Sequence, residues 1–231
     1  MIISHKYKFI FIKTRKTAGT SLEVYLSQYC GDDDIITPFT MSQAELENKE
    51  SHHPRNFEGF QAHIGAGKVK GKVSEEVWKT YFKFAFDRNP WDLMVSFFLQ
   101  KSVVRNPDLR IEGTFDEFVH GGADGTYKFP INFNMYSMKG EVVMDFVGRF
   151  ETLEKDFKYV CDRVGIPYEE NRLSHERGKF REKKRKYFFF KKEKKDFRTY
   201  YTEETRKIVE KAFEEPINLL DYSFESNYQK E

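Results

Sequence analysis

A short segment near the amino terminus carries the residue types that bind phosphate. Residues 13 to 21 follow the apolar run Phe9–Ile12 and precede an apolar-rich stretch at 22 to 26, so the pattern predicts a buried strand, a loop and a helix. A helix N-terminus offers free N–H groups and a positive dipole end to an anion, and Gly19 lets the backbone approach closely. The segment also supplies cationic and hydroxyl donors: Lys16, Thr17, Thr20 and Ser21. The loop is therefore predicted to bind a phosphorylated ligand.

A second candidate site follows another strand. Residues 81 to 86 are rich in aromatic side chains and are predicted to form a largely buried strand. Asn89 is a favourable N-cap and Pro90 a favourable first helical residue, so a helix is expected over 91–100. Arg88 then lies at the carboxyl end of the strand, where open α/β sheets bind ligands.

The remaining pattern alternates strands and helices. Residues 142–150 are predicted as a third strand, and a helix is predicted over 151–164 with Gly165 as its stop. Helix starts are predicted from capping residues at Ser42, Ser74 and Thr114, and the last helix is predicted to start near Thr202. The pattern predicts an α/β fold with a central, mostly parallel sheet flanked by helices and a P-loop-like strand–loop–helix unit. With no internal repeat or linker in the pattern, residues 1–231 are predicted to form a single domain.

Composition narrows the class of protein. Hydrophobic residues make up 39% of the chain, with 24 Phe and 13 Tyr, which predicts an aromatic-rich core. The sequence has no apolar run of the about 18 residues that span a bilayer, and its first residues lack the apolar region of a secretory signal. A soluble, cytoplasmic protein without a membrane anchor is expected. Cys30 and Cys161 are expected to be reduced core thiols.

Charge is unevenly distributed along the chain. The net charge is +2, yet residues 179–198 contain eleven basic and three acidic residues interleaved with aromatics. Three interpretations of this basic insertion stay open: a solvated insertion, a basic cover over an anionic ligand, and a nucleic-acid-binding patch.

The loop at residues 13–21 does not have the order of a nucleoside triphosphatase loop. A Walker A motif places Lys after its second Gly, whereas here Lys16 precedes Gly19. A kinase or NTPase is therefore the runner-up function. A nucleic-acid-binding protein that uses residues 179–198 is a third and less favoured one, with strong salt dependence expected.

The segment Lys16-Thr17-Ala18-Gly19-Thr20-Ser21 resembles the 5′-phosphosulfate loop of sulfotransferases, with Arg15 where that family usually has Pro. Arg88 and Ser96, eight residues apart, resemble the family's second element, which binds the 3′-phosphate of 3′-phosphoadenosine 5′-phosphosulfate (PAPS). Residues 146–157, 197–205 and 220–224 are similar to segments of the carbohydrate-acting branch.

The resemblance implies an enzyme that moves a sulfuryl group from PAPS to an acceptor hydroxyl and leaves adenosine 3′,5′-bisphosphate (PAP). Lys16 would neutralise charge on the leaving phosphate oxygen. The residues that it implies for cofactor binding are Arg15, Lys16, Thr17, Ala18, Gly19, Thr20, Ser21, Arg88, Ser96, Arg198 and Tyr200. No metal ion is expected, because the sequence offers no convincing ligand spacing.

A sugar hydroxyl needs a general base, and His63 is the candidate because it lies in the long polar connection at 48–72 between the two cofactor elements. His52, His53 and Glu58 are the alternatives. The expected acceptor is a hydroxyl of a glycan or glycoconjugate, but a lipid-linked sugar, a small metabolite and a tyrosyl peptide stay open. No nucleic acid partner is expected under this reading, and the oligomeric state is left open.

Overall fold

The strand-forming runs of the sequence assemble into a five-stranded mixed sheet. The structure, a computed structural model, describes residues 1–38, 53–104, 108, 110–170, 172–173 and 196–225. The strands among these residues are β1 (Ile2–Ser4), β2 (Phe9–Ile12), β3 (Ile35–Ile36), β4 (Phe82–Asp87), β5 (Ser137–Met138), β6 (Glu141–Val142) and β7 (Phe146–Arg149). The α-helices are α1 (Gly19–Ser27), α2 (Ala66–Lys70), α3 (Glu75–Thr80), α4 (Pro90–Lys101), α5 (Phe115–Ala123), α6 (Phe133–Tyr136), α7 (Leu153–Val164), α8 (Glu203–Ala212) and α9 (Glu214–Leu220).

The sheet has the order β3-β1-β2-β4-β7. Strands β2, β4 and β7 run parallel, and β1 is antiparallel to both β2 and β3. The sheet is therefore parallel from β2 through β4 to β7, and antiparallel from β2 through β1 to β3. Ile12 is opposite Ala85, and Asp87 is opposite Arg149, so the carboxyl ends of the parallel strands share one edge.

Aromatic packing against the sheet forms the main core. Residues of β1, β2, β3 and β4 pack with the buried faces of α1 and α7 in one cluster. Phe84 stacks on Phe11, with ring centroids 5.1 Å apart. Gly148 is required beside this cluster, because a Cβ there would lie 2.5 Å from a ring carbon of Phe86. Burial of these rings supplies the hydrophobic stabilisation that holds β4 and β7 together.

Two sequence predictions need correction around the third strand. The run 142–150 is not one strand, since Val142 pairs in the separate β5–β6 hairpin and β7 begins only at Phe146. Between them, Val143 donates its N–H to the carbonyl of Tyr136. The following helix begins at Leu153 rather than at residue 151. It ends at Val164, as predicted, and its C-cap Gly165 has a left-handed φ of 79°.

By contact the described chain divides into two compact units, Met1–Asp87 with Asn132–Phe189, and Arg88–Ile131 with Phe190–Glu231. The sheet belongs to the first unit. A single domain over residues 1–231 stays a prediction. The predicted helix start at Ser42 and residues 179–195 of the basic insertion lie outside the described residues.

The second unit contains α4, α5, α8 and α9. Thr114 and Thr202 form capping boxes at the starts of α5 and α8, and Asn89 caps α4 with Pro90 in its first turn. Stacked rings of Phe98 and Phe118 lie between α4 and α5. Asn89 and Thr114 were predicted as caps and Thr202 as the approximate start of the last helix, and each accepts the backbone N–H bonds expected of an N-cap.

Two further sequence predictions concerned membrane-spanning helices and the two cysteines. In this part of the chain, no helix is both long enough and apolar enough to cross a bilayer. Cys30 and Cys161 are free thiols, and burial raises the pKa of each to about 12.

Candidate active site

The loop between β2 and α1 has the backbone of an anion-binding turn. Helix α1 begins at Gly19, and its N-cap residue Ala18 has a left-handed φ of 61°. Lys16 is also left-handed, with a φ of 64°. Among the described residues, no side chain caps α1 and no acidic residue lies in its first turn. The positive end of the helix is therefore directed at the loop without a side-chain acceptor, which suits a phosphate or phosphosulfate group.

Hydrogen bonds at the base of the loop involve Thr14 and Thr17, both buried. Thr14 Oγ1 donates to the carbonyl of Phe86, so it accepts the hydroxyl proton of Thr17 across 2.8 Å. The hydroxyl of Thr17 is thus linked to β4 through Thr14. Thr20 is partly exposed and Ser21 is buried in α1.

Position 19 requires glycine because the side chain of Lys13 packs directly against it. A Cβ at Gly19 would lie 2.8 Å from Lys13 Cγ. The ammonium of Lys13 pairs with the carboxylate of Glu23, which also binds the amino nitrogen of Met1. Glu23 is fully buried. Burial alone would raise the pKa of Glu23, but the two adjacent cations hold it below its ordinary value.

His63 contacts the loop directly. Its Nδ1 lies 2.9 Å from the carbonyl oxygen of Lys13. A carbonyl only accepts, so Nδ1 carries the proton and Nε2 keeps its lone pair. Burial is the largest influence on the ring and, together with the nearby charges of Lys13 and Arg15, lowers the pKa of His63 to about 4. His63 is therefore a neutral imidazole at pH 7 whose free nitrogen can accept a proton.

The alternative bases have weaker positions. His53 and Glu58 are exposed side chains. His52 lies outside the described residues. Of the candidates that the structure describes, His63 is the one that hydrogen-bonds to the loop.

Arg88 and Ser96 come together in the second unit. Arg88 is 6% exposed, and its Nη1 donates to Ser96 Oγ across 3.1 Å. Its Nε and Nη2 donate to Asp92 Oδ2 at 3.0 and 2.7 Å. Arg88 lies two residues before α4, and Asp92 and Ser96 lie within α4, four and eight positions after Arg88. The carboxylate of Asp92 orients the guanidinium, a contact that the sequence motif did not predict.

Arg198 and Tyr200 belong to a short 3₁₀ helix, Phe197–Tyr200, in the same unit. Arg198 pairs with Asp196 at 2.6 Å, and the ring of Tyr200 packs edge-on against Phe115 with centroids 5.8 Å apart. Tyr201 donates from its hydroxyl to the carbonyl of Trp91 in α4. Both predicted residues thus lie on a segment anchored to the helix that carries Ser96, and their roles stay predictions.

Arg15 is an exposed residue of the loop, and its backbone is held by a partner that sequence patterns do not reveal. Its N–H donates to Asn132 Oδ1 across 2.9 Å. Asn132 was missed because it lies 117 residues away and no local pattern marks it. Lys13 and Glu23 were missed as a pair, although an acidic residue inside an otherwise apolar helical stretch is a usable signal for a buried ion pair.

The described ranges contain no group of three or more His, Cys, Asp or Glu side chains that could hold a metal ion. The catalytic candidates in this part of the chain are the ammonium of Lys16, the imidazole of His63 and the hydrogen-bond donors of the loop. Such groups can neutralise a leaving oxyanion and accept a proton.

Comparisons with known proteins agree with the motifs. The fold is similar to that of mouse sulfotransferase SULT7A1, solved in complex with PAP, with a TM-score of 0.55 at 18% identity over 95% of this chain and 87% of that chain. This likeness confirms the predicted α/β fold class. An uncharacterized protein of Archaeoglobus fulgidus is 31% identical over 104 residues, which are 44% of this chain and 82% of that protein. Residues 1–223 match the model of the sulfotransferase family. Because that match spans nearly all of the 231 residues, the chain belongs to the sulfotransferase family.

Proposed function

We propose that this chain transfers a sulfuryl group from PAPS to a carbohydrate hydroxyl, with PAP as the second product. The observation that carries the proposal is the loop before α1, where a left-handed turn at Lys16 and Ala18 opens onto a helix N-terminus without a side-chain cap among the described residues. Family membership supplies the reaction type, and the PAP-bound relative of similar fold supports the choice of donor.

The residues of the loop fit the 5′ end of PAPS. When bound, PAPS supplies the sulfuryl group and a phosphate leaving group. Lys16 brings a positive charge to the loop, and Gly19 leaves the start of α1 without a side chain. Thr20 contributes a hydroxyl at the same turn. These donors stabilise the charge that develops on the leaving oxygen, which is the largest catalytic term available to a site of this composition.

Arg88 and Ser96 are assigned to the 3′-phosphate. The guanidinium is already oriented by Asp92 and hydrogen-bonded to Ser96, so little side-chain freedom remains to be lost on binding. An Arg fork and a hydroxyl match the acceptor geometry of a phosphate dianion. Arg198 and Tyr200 are proposed to contribute to the same nucleotide, on the basis of the family resemblance.

His63 is proposed as the general base. Its Nδ1 proton is committed to the carbonyl of Lys13, which leaves Nε2 to accept the hydroxyl proton of the acceptor. A pKa near 4 makes the ring a weak base in the protein alone. Anionic groups bound beside it would favour the imidazolium and raise that pKa, so the ring becomes a better base when the donor is present.

A carbohydrate acceptor is supported by the resemblance of residues 146–157 and of the carboxyl-terminal segments to the carbohydrate-acting branch. The test is transfer of radiolabelled sulfur from PAPS to a panel of neutral and acidic oligosaccharides, a phenol and a tyrosyl peptide. We expect a sulfated oligosaccharide from the wild-type chain and loss of transfer in His63→Ala, with PAP affinity retained. His53→Ala is the matched control and should transfer normally.

Two outcomes would contradict the proposal. Labelling of the phenol or peptide in place of every oligosaccharide would move the acceptor to another class. Undiminished transfer by His63→Ala would remove the assigned base.

A further inference from the structure

We infer that Asn132 is a positioning residue for the loop at residues 13–21, holding it in its ligand-binding conformation through the backbone of Arg15. The predicted effect of Asn132 on catalysis rests on the proposed function above. Its predicted effect on the conformation of the loop does not, because that effect requires no ligand or reaction.

The side-chain amide of Asn132 hydrogen-bonds both the N–H and the carbonyl of Arg15. Asn132 Oδ1 accepts the N–H of Arg15 at 2.9 Å, and Asn132 Nδ2 donates to the carbonyl of Arg15 at 3.0 Å. The second proton of Nδ2 goes to Asp87 Oδ1 at 2.9 Å. Asn132 is 1% exposed. Each donor of the side chain therefore has a partner, and neither a reversed amide nor a carboxylate could make the same three bonds.

Asp87 fixes the orientation of that amide. It is the last residue of β4, 1% exposed, and its Oδ2 accepts the hydroxyl proton of Tyr136 at 2.6 Å. Burial and the adjacent carboxylate raise the pKa of Tyr136 far above its ordinary range, so the phenol stays protonated and donates. Tyr136 ends α6, four residues after Asn132. The strand end and the short helix thus form a fixed frame for the amide.

The loop needs such a frame because its conformation is unfavourable on its own. Lys16 and Ala18 both have a positive φ without being glycine. Left-handed backbone at non-glycine residues persists only where the surroundings enforce it. Arg15 is the residue directly before Lys16, so the two bonds from Asn132 fix the chain at the point where the turn begins. Without them, the loop can relax toward ordinary backbone angles and carry the Lys16 ammonium away from its productive position.

The first test measures the loop without any turnover. Hydrogen–deuterium exchange of the peptide that covers residues 13–21 is compared between the wild type, Asn132→Ala and Asn134→Ala. Asn134 is the control, because it lies on α6, two residues after Asn132, with an exposed side chain. We expect at least tenfold faster exchange of this peptide in Asn132→Ala, with no change in α7, and wild-type exchange in Asn134→Ala. Equal exchange in all three proteins would overturn the inference.

The second test separates positioning from folding. At a temperature where every variant is fully folded by circular dichroism, Asn132→Ala should lower kcat at least tenfold and leave the KM for the acceptor within twofold. In a Lys16→Ala background the same substitution should cost less than twofold, because the residue acts through Lys16. A further tenfold loss of kcat on adding Asn132→Ala to Lys16→Ala would overturn the inference. An unchanged kcat in Asn132→Ala alone would overturn it as well.

Asn132→Ser is the second variant, used if Asn132→Ala does not fold. A hydroxyl has one proton to donate, whereas the amide donates two, so Ser cannot make the three bonds of Asn132. It should reproduce the faster exchange at residues 16–18, and wild-type exchange there would overturn the inference. A wild-type chain that neither binds PAP nor uses PAPS would refute the proposed function, while the exchange experiment still decides the role of Asn132 in the loop.

Discussion

The titration of His63 allows a quantitative prediction. In the native protein the pKa of His63 is about 4, whereas an unfolded chain has an ordinary histidine value of about 6.5. The unfolded state therefore takes up a proton at a pH where the native state does not. Stability from this residue is fully present above pH 6.5 and is lost progressively as the pH falls toward 4. The complete loss is about 3 kcal/mol, and at pH 5 it is already about 2 kcal/mol.

The assay is urea unfolding of the wild type and of His63→Gln at pH 7.5 and pH 5, followed by tryptophan fluorescence. Gln cannot titrate but can still donate to the carbonyl of Lys13. The difference in unfolding free energy between the two proteins should shrink by about 2 kcal/mol on going to pH 5. Because other groups titrate equally in both proteins, they cancel in this difference.

A difference between the two proteins that stays the same at both pH values would refute the reasoning, since it would mean that native His63 titrates as an exposed ring does. The kinetic counterpart is the pH profile of kcat/KM for PAPS, which reports the enzyme before the donor has bound. Its acid limb should fall near pH 4, and a limb near pH 6.5 would contradict the assignment of the lowered pKa to the base.

Three further predictions concern the stability of the fold. Gly19→Ala should destabilise the fold by about 1–3 kcal/mol in urea unfolding, because the new Cβ would meet Lys13 Cγ at 2.8 Å, and a stability gain would contradict this contact. Glu23→Gln should cost about 3–5 kcal/mol by leaving the buried ammonium of Lys13 without its carboxylate. The Glu23 contribution should be present above about pH 4.3 and be lost as the pH falls through the lowered native pKa, so acid unfolding curves of wild type and variant must converge. Thr114→Ala should lower stability by about 1 kcal/mol through loss of the capping box of α5, whereas an unchanged midpoint would show that the cap is dispensable.

Local signals in the sequence predicted most of the helix starts and the position of the loop. Asn89, Thr114 and Thr202 were identifiable because an N-cap and its partner lie within three residues of each other. The split of residues 142–150 was not identifiable in this way. The partners that redirect this run are Tyr136 and Lys83, which accept the N–H groups of Val143 and Asp145, and periodicity does not reveal such contacts.

In the candidate site, too, residues of local motifs were predicted from the sequence, whereas their distant partners were not. Lys16, Gly19, Arg88 and Ser96 were found from motif spacing, and the hydrogen bond between Arg88 and Ser96 agrees with that pairing. The partners that orient them come from distant positions or from chemistry that spacing does not encode. His63 reaches Lys13 across 50 residues, and Asn132 reaches Arg15 across 117. Motif spacing also does not show how a side chain is bonded. The hydroxyl of Thr17 was predicted to be a donor to the ligand, but in the structure it is hydrogen-bonded to Thr14.

The most direct test of the central claim is calorimetric binding of PAP, adenosine 5′-phosphate and ATP to the wild type, Arg88→Ala and Ser102→Ala. Ser102 is the control, because it is the C-cap of α4, at the end of the helix away from Arg88. A charge-assisted hydrogen bond contributes about 1.5–3 kcal/mol, so the wild type and the control should bind PAP about 10- to 150-fold more tightly than adenosine 5′-phosphate, and Arg88→Ala should lose that preference. Binding of ATP or adenosine 5′-phosphate as tight as that of PAP, or an equal loss for all three nucleotides in Arg88→Ala, would contradict the account.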